Sequence, residues 1–311
     1  MNIRELGRRL IRTKPIGGGS DKPGGLSRSL GFFSLTMLGV GATIGTGIFF
    51  TLAETVPKAG PAAILSFLIA AVTAGLTALC YSELSFRIPA AGSSYSYAYA
   101  TVGEFIAFLV GACLLLEYGL AASATSIGWS AYLNNFLHNA FGWQIPEMLR
   151  SYTISSGENG VEFRAGRINL PPIILVVMCG FLLLRGARDS AAANSVMVLV
   201  KLGILVFFAA VAATGFSAEN LTPFFNPDNS KGYAGMAGVT AAAGTVFFSF
   251  IGLDTVATAG EETKDPRRDV PFGILAALLI VTACYLLVAV AAVGAQPASR
   301  FAGQEAGLAV I

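Results

Sequence analysis

Two ionisable side chains and one run of glycines mark the places where this sequence could do chemistry. Lys201 stands alone in the otherwise apolar stretch 196–213, and Glu117, followed by Tyr118, interrupts another such stretch at 105–133. At a helical rise of about 1.5 Å per residue, both lie on the order of 15 Å into their helices. A charge at that depth in a bilayer costs about 2.5 to 3.5 kcal/mol, so it should face the protein interior and have a role. Two roles are open. Glu117 and Lys201 neutralise each other as an ion pair, or Lys201 titrates and acts as a proton-linked switch.

The glycine run is Gly39-Val40-Gly41-Ala42-Thr43-Ile44-Gly45-Thr46-Gly47, four glycines in nine residues. Each weakens a helix by about 1 kcal/mol relative to alanine. Either the run lets another helix pack closely, Gly41 and Gly45 forming a GxxxG pair, or the helix breaks there and exposes backbone N–H groups to a ligand. Irregular backbone at membrane depth survives only where it is buried in protein or lines a cavity. A second stretch, from Phe247 to Asp254, admits a similar break, with Phe248 and Phe250 as packing residues or pocket walls. Asp254 and Glu83 fall near helix ends and read as interfacial loop anchors. His138, the single histidine, reads as a loop residue. Cys80, Cys113, Cys179 and Cys284 lie in apolar segments without metal-ligand spacing and read as small hydrophobes. No catalytic residue, metal site or cofactor is expected, and the chain does not read as an enzyme.

These groups require long apolar helices to carry them, and the composition supplies them. Of 311 residues 54% are hydrophobic and 12% charged, with a mean hydropathy of +0.68, whereas a soluble domain has about 25% charged residues. A water-soluble enzyme is excluded. A net charge of +2 offers no basic surface for nucleic acid. A bilayer core needs roughly 20 apolar residues per helix, and seven such runs emerge, at about 31–53, 62–82, 105–133, 170–184, 191–216, 233–257 and 272–295. The fourth is short and starts at Pro171-Pro172, which suits a first helical turn. Lys and Arg mark the cytoplasmic side. Arg4, Arg8, Arg9, Arg12, Lys14, Lys22 and Arg28 precede the first run. That places the N-terminus inside, and alternating crossings give thirteen basic residues inside against six outside. The first run is long and followed by others, so it reads as a retained helix rather than a cleaved signal. Residues 138–169 read as an extracellular loop. A seven-helix receptor or light sensor would need the opposite orientation, and no late-helix lysine is present for retinal.

Blocks of sequence then become familiar. They are Gly41-Ala42-Thr43-Ile44-Gly45-Thr46-Gly47-Ile48-Phe49, Ala59-Gly60-Pro61-Ala62, Cys80-Tyr81-Ser82-Glu83-Leu84 and Leu116-Glu117-Tyr118. Further on come Pro89 to Tyr97, Gly252-Leu253-Asp254, and Gly260-Glu261-Glu262-Thr263-Lys264-Asp265-Pro266. In this order they resemble the amino acid-polyamine-organocation (APC) transporter superfamily and, within it, cationic amino acid transporters of bacterial type. Two positions depart from the usual pattern: Gly111-Ala112-Cys113 stands where Gly-Trp-Asp is common, and Leu253 replaces a common Phe.

The resemblance implies an all-α integral membrane fold of two inverted five-helix repeats, with helices 1 and 6 broken at the midplane. About seven transmembrane helices are present. Residues 1–30 would form a cytoplasmic basic tail, 31–216 the first repeat, and 217–311 a partial second repeat ending at the start of an eighth helix. It also implies that the backbone of Thr43, Gly45 and Thr46 receives an amino acid carboxylate, and that carbonyls near Phe248, Ser249 and Ile251 receive its ammonium. Lys201 would stand where sodium-coupled relatives keep a sodium ion, linking transport to protons, with Glu117 at similar depth. The expected function is an amino acid permease of the plasma membrane, embedded in lipid, with amino acids and protons as its partners. It would work by alternating access, helices 1, 2, 6 and 7 rocking against 3, 4 and 5. Exchange of one amino acid for another, or a truncated non-transporting remnant, are the alternatives.

Overall fold

The structure is a computed structural model and describes residues 11–14, 28–88, 90–151, 154–157, 160–163, 168–184, 187–229 and 232–302. Most of the basic tail (Arg4, Arg8, Arg9 and Lys22), Pro89, Arg164, Arg167, Arg185, Lys231 and the last residues from Ala306 lie outside them.

The first apolar run folds as two helices, α1 (Phe32–Thr43) and α2 (Thr46–Ala59). After a 3₁₀ turn at Gly60–Ala62, α3 runs from Ala63 to Arg87. The short α4 (Ser93–Thr101) leads into α5 (Glu104–Phe141), whose 38 residues overshoot a bilayer. Gly142, at φ 66°, ends it. A short α6 (Glu147–Arg150) precedes strands β1 (Ile154–Gly157) and β2 (Gly160–Phe163). These pair antiparallel with Gly157 opposite Gly160. The segment expected to be a polar loop is thus partly a hairpin, and among the described residues it is the one departure from an all-helical chain.

Next come α7 (Leu170–Leu184), α8 (Ala187–Thr214) and α9 (Met236–Phe247). A 3₁₀ turn at Phe248–Phe250 interrupts the sixth run, followed by the four-residue α10 (Thr255–Thr258). The last long helix is α11 (Pro266–Ala295), with Pro266 in its first turn, where a missing N–H costs nothing. Among the described residues, five helical segments are long and apolar enough to cross a membrane: Phe50–Arg87, Glu104–Phe141, Asn194–Thr214, Met236–Thr258 and Pro266–Ala295. Phe32–Thr43 and Leu170–Phe181 are shorter.

The core lies where α11 packs on α3 and α1, with α9 on α2 and α3, and α8 along both α1 and α11. Ala70, Ala74 and Ala78 repeat every four residues on α3 and are buried. Such small-residue rows let helices approach in lipid, where packing replaces the hydrophobic drive. Outward, Phe108, Leu115 and Leu116 of α5, Val176 and Phe181 of α7, and Phe207 of α8 are all exposed. Large apolar surfaces of this kind suit hydrocarbon rather than water.

Polar contacts tie the ends together on the N-terminal side. Arg12 Nε lies 3.1 Å from Glu104 Oε2, and the Lys14 amide donates to the Tyr99 carbonyl at 3.1 Å. Leu30 bridges Thr263, its amide donating to Glu262 O and its carbonyl accepting from Lys264 N. The start of the first span and the turn before α11 are therefore joined through backbone.

Candidate functional site

The first span loses its helix at Ile44, where ψ turns to 79°, and regains it at Thr46. The end of α1 leaves carbonyls without helical partners and carries a partial negative charge. Lys201 from α8 supplies the donor: its Nζ donates to Gly41 O at 2.9 Å and to Ile44 O at 2.8 Å. The two glycines of the GxxxG pair do different things. A methyl at Gly41 would lie 2.7 Å from Val198 Cγ2 and 2.9 Å from Asn194 Oδ1, so Gly41 is where α8 comes close, whereas a methyl at Gly45 would meet nothing within 4 Å. Close packing and an opened helix are both present, one turn apart.

The expected carboxylate-binding residues are not equally placed for it. Thr43 belongs to α1, and its hydroxyl donates back to Gly39 O at 2.8 Å. The Gly45 amide turns back to Thr43 O at 2.8 Å. The amides that no helical carbonyl can reach are those of the first turn of α2, from Thr46 onward. They sit at the positive end of a 14-residue helix.

In the sixth span, Ser249 and Phe250 are buried while Phe248 is 47% exposed at a cavity wall, so the two aromatic rings divide the roles left open for them. Phe250 packs edge-on against Tyr285, ring centres 5.3 Å apart. Tyr285, fully buried on α11, places its hydroxyl 2.8 Å from Thr43 O and 2.9 Å from Ser249 O. One hydroxyl proton is thus shared by a freed carbonyl of each broken span. Ser249 Oγ also lies 2.7 Å from Thr51 Oγ1 of α2. The Phe248 carbonyl already accepts the Ile251 amide at 3.2 Å. Gly252 has φ 109°, and a methyl there would lie 2.8 Å from the backbone C and O of Ala42. Strained backbone of this kind costs about 1–3 kcal/mol. Gly252→Ala is accordingly expected to lower the thermal unfolding midpoint, measured on detergent-purified protein, whereas Gly244→Ala, in open space within α9, should not.

Between the two breaks and α5 lies a cavity of about 190 Å³, walled by Ala42, Gly45, Tyr118, Phe248, Ser249 and Ile251 among others. Drug-sized sites occupy roughly 300–1,000 Å³, so this space fits only a small molecule. A second cavity, of about 420 Å³, shares Ile251 and Gly252 with it and holds Glu117, Asp254, Tyr81 and Cys113.

Glu117 is there and not at Lys201, so of the two roles left open the ion pair is not formed. The reason is geometric: α8 reaches the break from the Gly41 side, and α5 faces it from the cavity side. Backbone carbonyls take over the neutralising role. Glu83 does behave as a surface anchor, pairing with Arg87 at 2.7 Å, both side chains exposed. Asp254 does not, since its Oδ2 accepts the Tyr118 hydroxyl at 2.5 Å. Tyr285 was not singled out from sequence. The signal available was a phenol inside the apolar run from Val281 to Ala292, which needs a buried hydrogen-bond partner.

Two interrupted spans meet around a small cavity in a helical protein with long apolar segments, an arrangement found in membrane transporters. The model of the family described as amino acid permease matches residues 30–310, and the chain belongs to that family. It is 40% identical over 280 residues to a branched-chain amino acid permease of Bacillus subtilis, a match covering 90% of this chain and 57% of that protein. A methylthioribose transporter of Bacillus subtilis is 38% identical over 97% of this chain and 66% of its own length. A vacuolar cationic amino acid transporter of Arabidopsis thaliana is 37% identical over 93% and 45% respectively. The chain thus spans about half to two thirds of the length of these relatives. It is a multi-pass membrane protein of a transporter family, not an enzyme.

Proposed function

We propose that this chain carries the substrate site of a plasma-membrane amino acid permease that works by alternating access and couples to protons. One observation supports this most: the Lys201 ammonium rests on the Gly41 and Ile44 carbonyls, one turn before a free helix N-terminus that opens on a small cavity. A fixed cation thereby holds the negative end of α1, and the positive end of α2 is left for an anion. In this proposal the amino acid carboxylate lies on the amides at Thr46, beside Thr43 and Gly45. Its ammonium is held by carbonyls of Phe248, Ser249 and Ile251. Ile251 O accepts no protein donor among the described residues, so it is the most available of the three.

Deprotonating Lys201 would replace two charge-assisted hydrogen bonds by weaker neutral ones and loosen the end of α1. That gives protonation a mechanical outlet at the site. Glu117, in the neighbouring cavity, is the second protonatable group within reach of the same region. The cytoplasmic N-terminus and the inverted five-helix repeats complete the proposal, the first repeat covering 31–216 and the second beginning at 217.

The test is binding to the chain in lipid nanodiscs, using a panel of radiolabelled amino acids. Free amino acids should compete with one another, while N-acetyl and carboxamide derivatives should lose at least about 100-fold in affinity, since each leaves buried polar groups unpaired. Equal competition by the blocked derivatives would overturn the proposal. Uptake into proteoliposomes driven by an imposed pH gradient would support coupling to protons. Uptake that requires internal amino acid and ignores the gradient would identify an exchanger.

A further inference from the structure

Asp254 was expected to anchor a loop, yet it joins three elements. Its Oδ2 accepts the hydroxyl of Tyr118 on α5 at 2.5 Å and that of Ser93, which opens α4, at 3.4 Å. Ser93 is buried and, like Gly92 before it, has a positive φ, 48° against 107°. Two residues before Asp254, Gly252 presses on the backbone of Ala42 at the first break. Ile251 and Gly252 line both cavities, and Tyr118 lines the smaller one. A continuous chain of contacts therefore runs from the helix 1 break through Gly252 and Asp254 to the hydroxyl of a tyrosine in the wall of the candidate site.

The chemistry of the bond suits a movable joint. Among the described residues the ion pairs are Arg12 with Glu104, Lys58 with Glu54 and Arg87 with Glu83, and none involves Asp254. Its partners are neutral hydroxyls, whose hydrogen bonds to a carboxylate are stronger than neutral ones yet release without separating two charges. The Tyr118 ring can turn only about its side-chain bonds, so fixing its hydroxyl fixes the wall it forms.

We propose that Asp254 is a positioning residue that transmits the state of the two helix breaks to the Tyr118 wall, and so sets both the fit of the amino acid and access to the small cavity. The inference rests on the amino acid site proposed above. It is tested by Asp254→Ala, Tyr118→Phe, their combination, and the acceptor-retaining Asp254→Asn, all in the full chain in nanodiscs. Each of the first two should raise the half-saturating amino acid concentration about tenfold. The double variant should be no worse than either, because the two residues act through one bond. Asp254→Asn should remain within about threefold of the parent, since its amide oxygen still accepts.

A second readout needs no amino acid. With the native cysteines replaced and Ala121→Cys placed in the cavity wall, alkylation should run at least about fivefold faster once Asp254→Ala or Tyr118→Phe is added, the cavity then being less often closed. Additive losses in the double variant, or an unchanged alkylation rate, would overturn the inference. Where the parent binds no amino acid, the proposed function fails and the alkylation rates alone decide whether the joint exists. Should Asp254→Ala not fold, Tyr118→Phe and Asp254→Asn separate the same two outcomes.

Discussion

Replacing Lys201 by methionine is expected to weaken amino acid binding far more than it destabilises the protein. The two effects separate because different energies govern them. Burying an ammonium at mid-membrane depth costs about 2.5–3.5 kcal/mol on insertion scales. Each of its two carbonyl bonds contributes about 1.5–3 kcal/mol as a hydrogen bond to a charged group. Relief of the buried charge offsets much of the loss of those two bonds, so the unfolding midpoint should fall by less than for Tyr285→Phe, where no buried charge is relieved. Binding has no such compensation, since the end of α1 loses the cation that fixes the break. A fall of at least 100-fold in affinity, read by equilibrium binding, is the expected outcome. Any residual binding should also lose its dependence on pH between pH 5 and 9, an expectation specific to a switch rather than to a strut. Unchanged affinity with a steep pH profile would show that another group holds the break.

Removing a single oxygen, in Tyr285→Phe, is expected to have the largest effect on stability among the conservative changes. That hydroxyl is shared by Thr43 O and Ser249 O, and its ring packs on Phe67 and Phe250. Phenylalanine keeps the ring contacts but leaves Ser249 O without that donor and Thr43 O with the Gly45 amide alone, at about 1–3 kcal/mol for a buried group left unsatisfied. The thermal midpoint should fall, and binding should weaken about tenfold or more, because the same proton joins the two breaks that shape the site. Ser249→Ala provides the contrast. It removes the 2.7 Å contact with Thr51 Oγ1 but leaves both carbonyls on Tyr285, so its effect should be smaller. Equal losses for the two variants would mean that the shared hydroxyl has no special place.

Much of the architecture was legible from spacing alone. Each apolar run found by length became a helix or a broken helix, and the run at 170–184 matches α7 residue for residue. The glycines at Gly41 and Gly45 admitted either close packing or a break, since glycine weakens a helix without adding charge, and only the packing of α8 showed that both occur. Helix ends were less so. α5 continues to Phe141, past 133, because Asn134, Asn135 and His138 are polar enough to end a hydropathy window yet remain good enough helix formers outside lipid.

Composition and order of residues by themselves determined that this is a membrane protein, where its apolar segments lie, which of them could break, and that Lys201 is a buried charge in need of partners. Those properties depend on local chemistry: the length of apolar runs, the weakness of glycine in a helix, and the cost of a buried charge. Only the tertiary structure decided where the buried charge goes. Lys201 meets two carbonyls rather than Glu117, Tyr285 joins the two breaks, and Asp254 takes the Tyr118 hydroxyl. Each of those pairs is separated by more than 35 residues along the chain, and the partner is in most cases a backbone oxygen. Every residue owns such an oxygen, so no residue type in the sequence advertises it. Which carbonyls are free is settled only when helices stop, and which side chain reaches them only when other helices pack alongside.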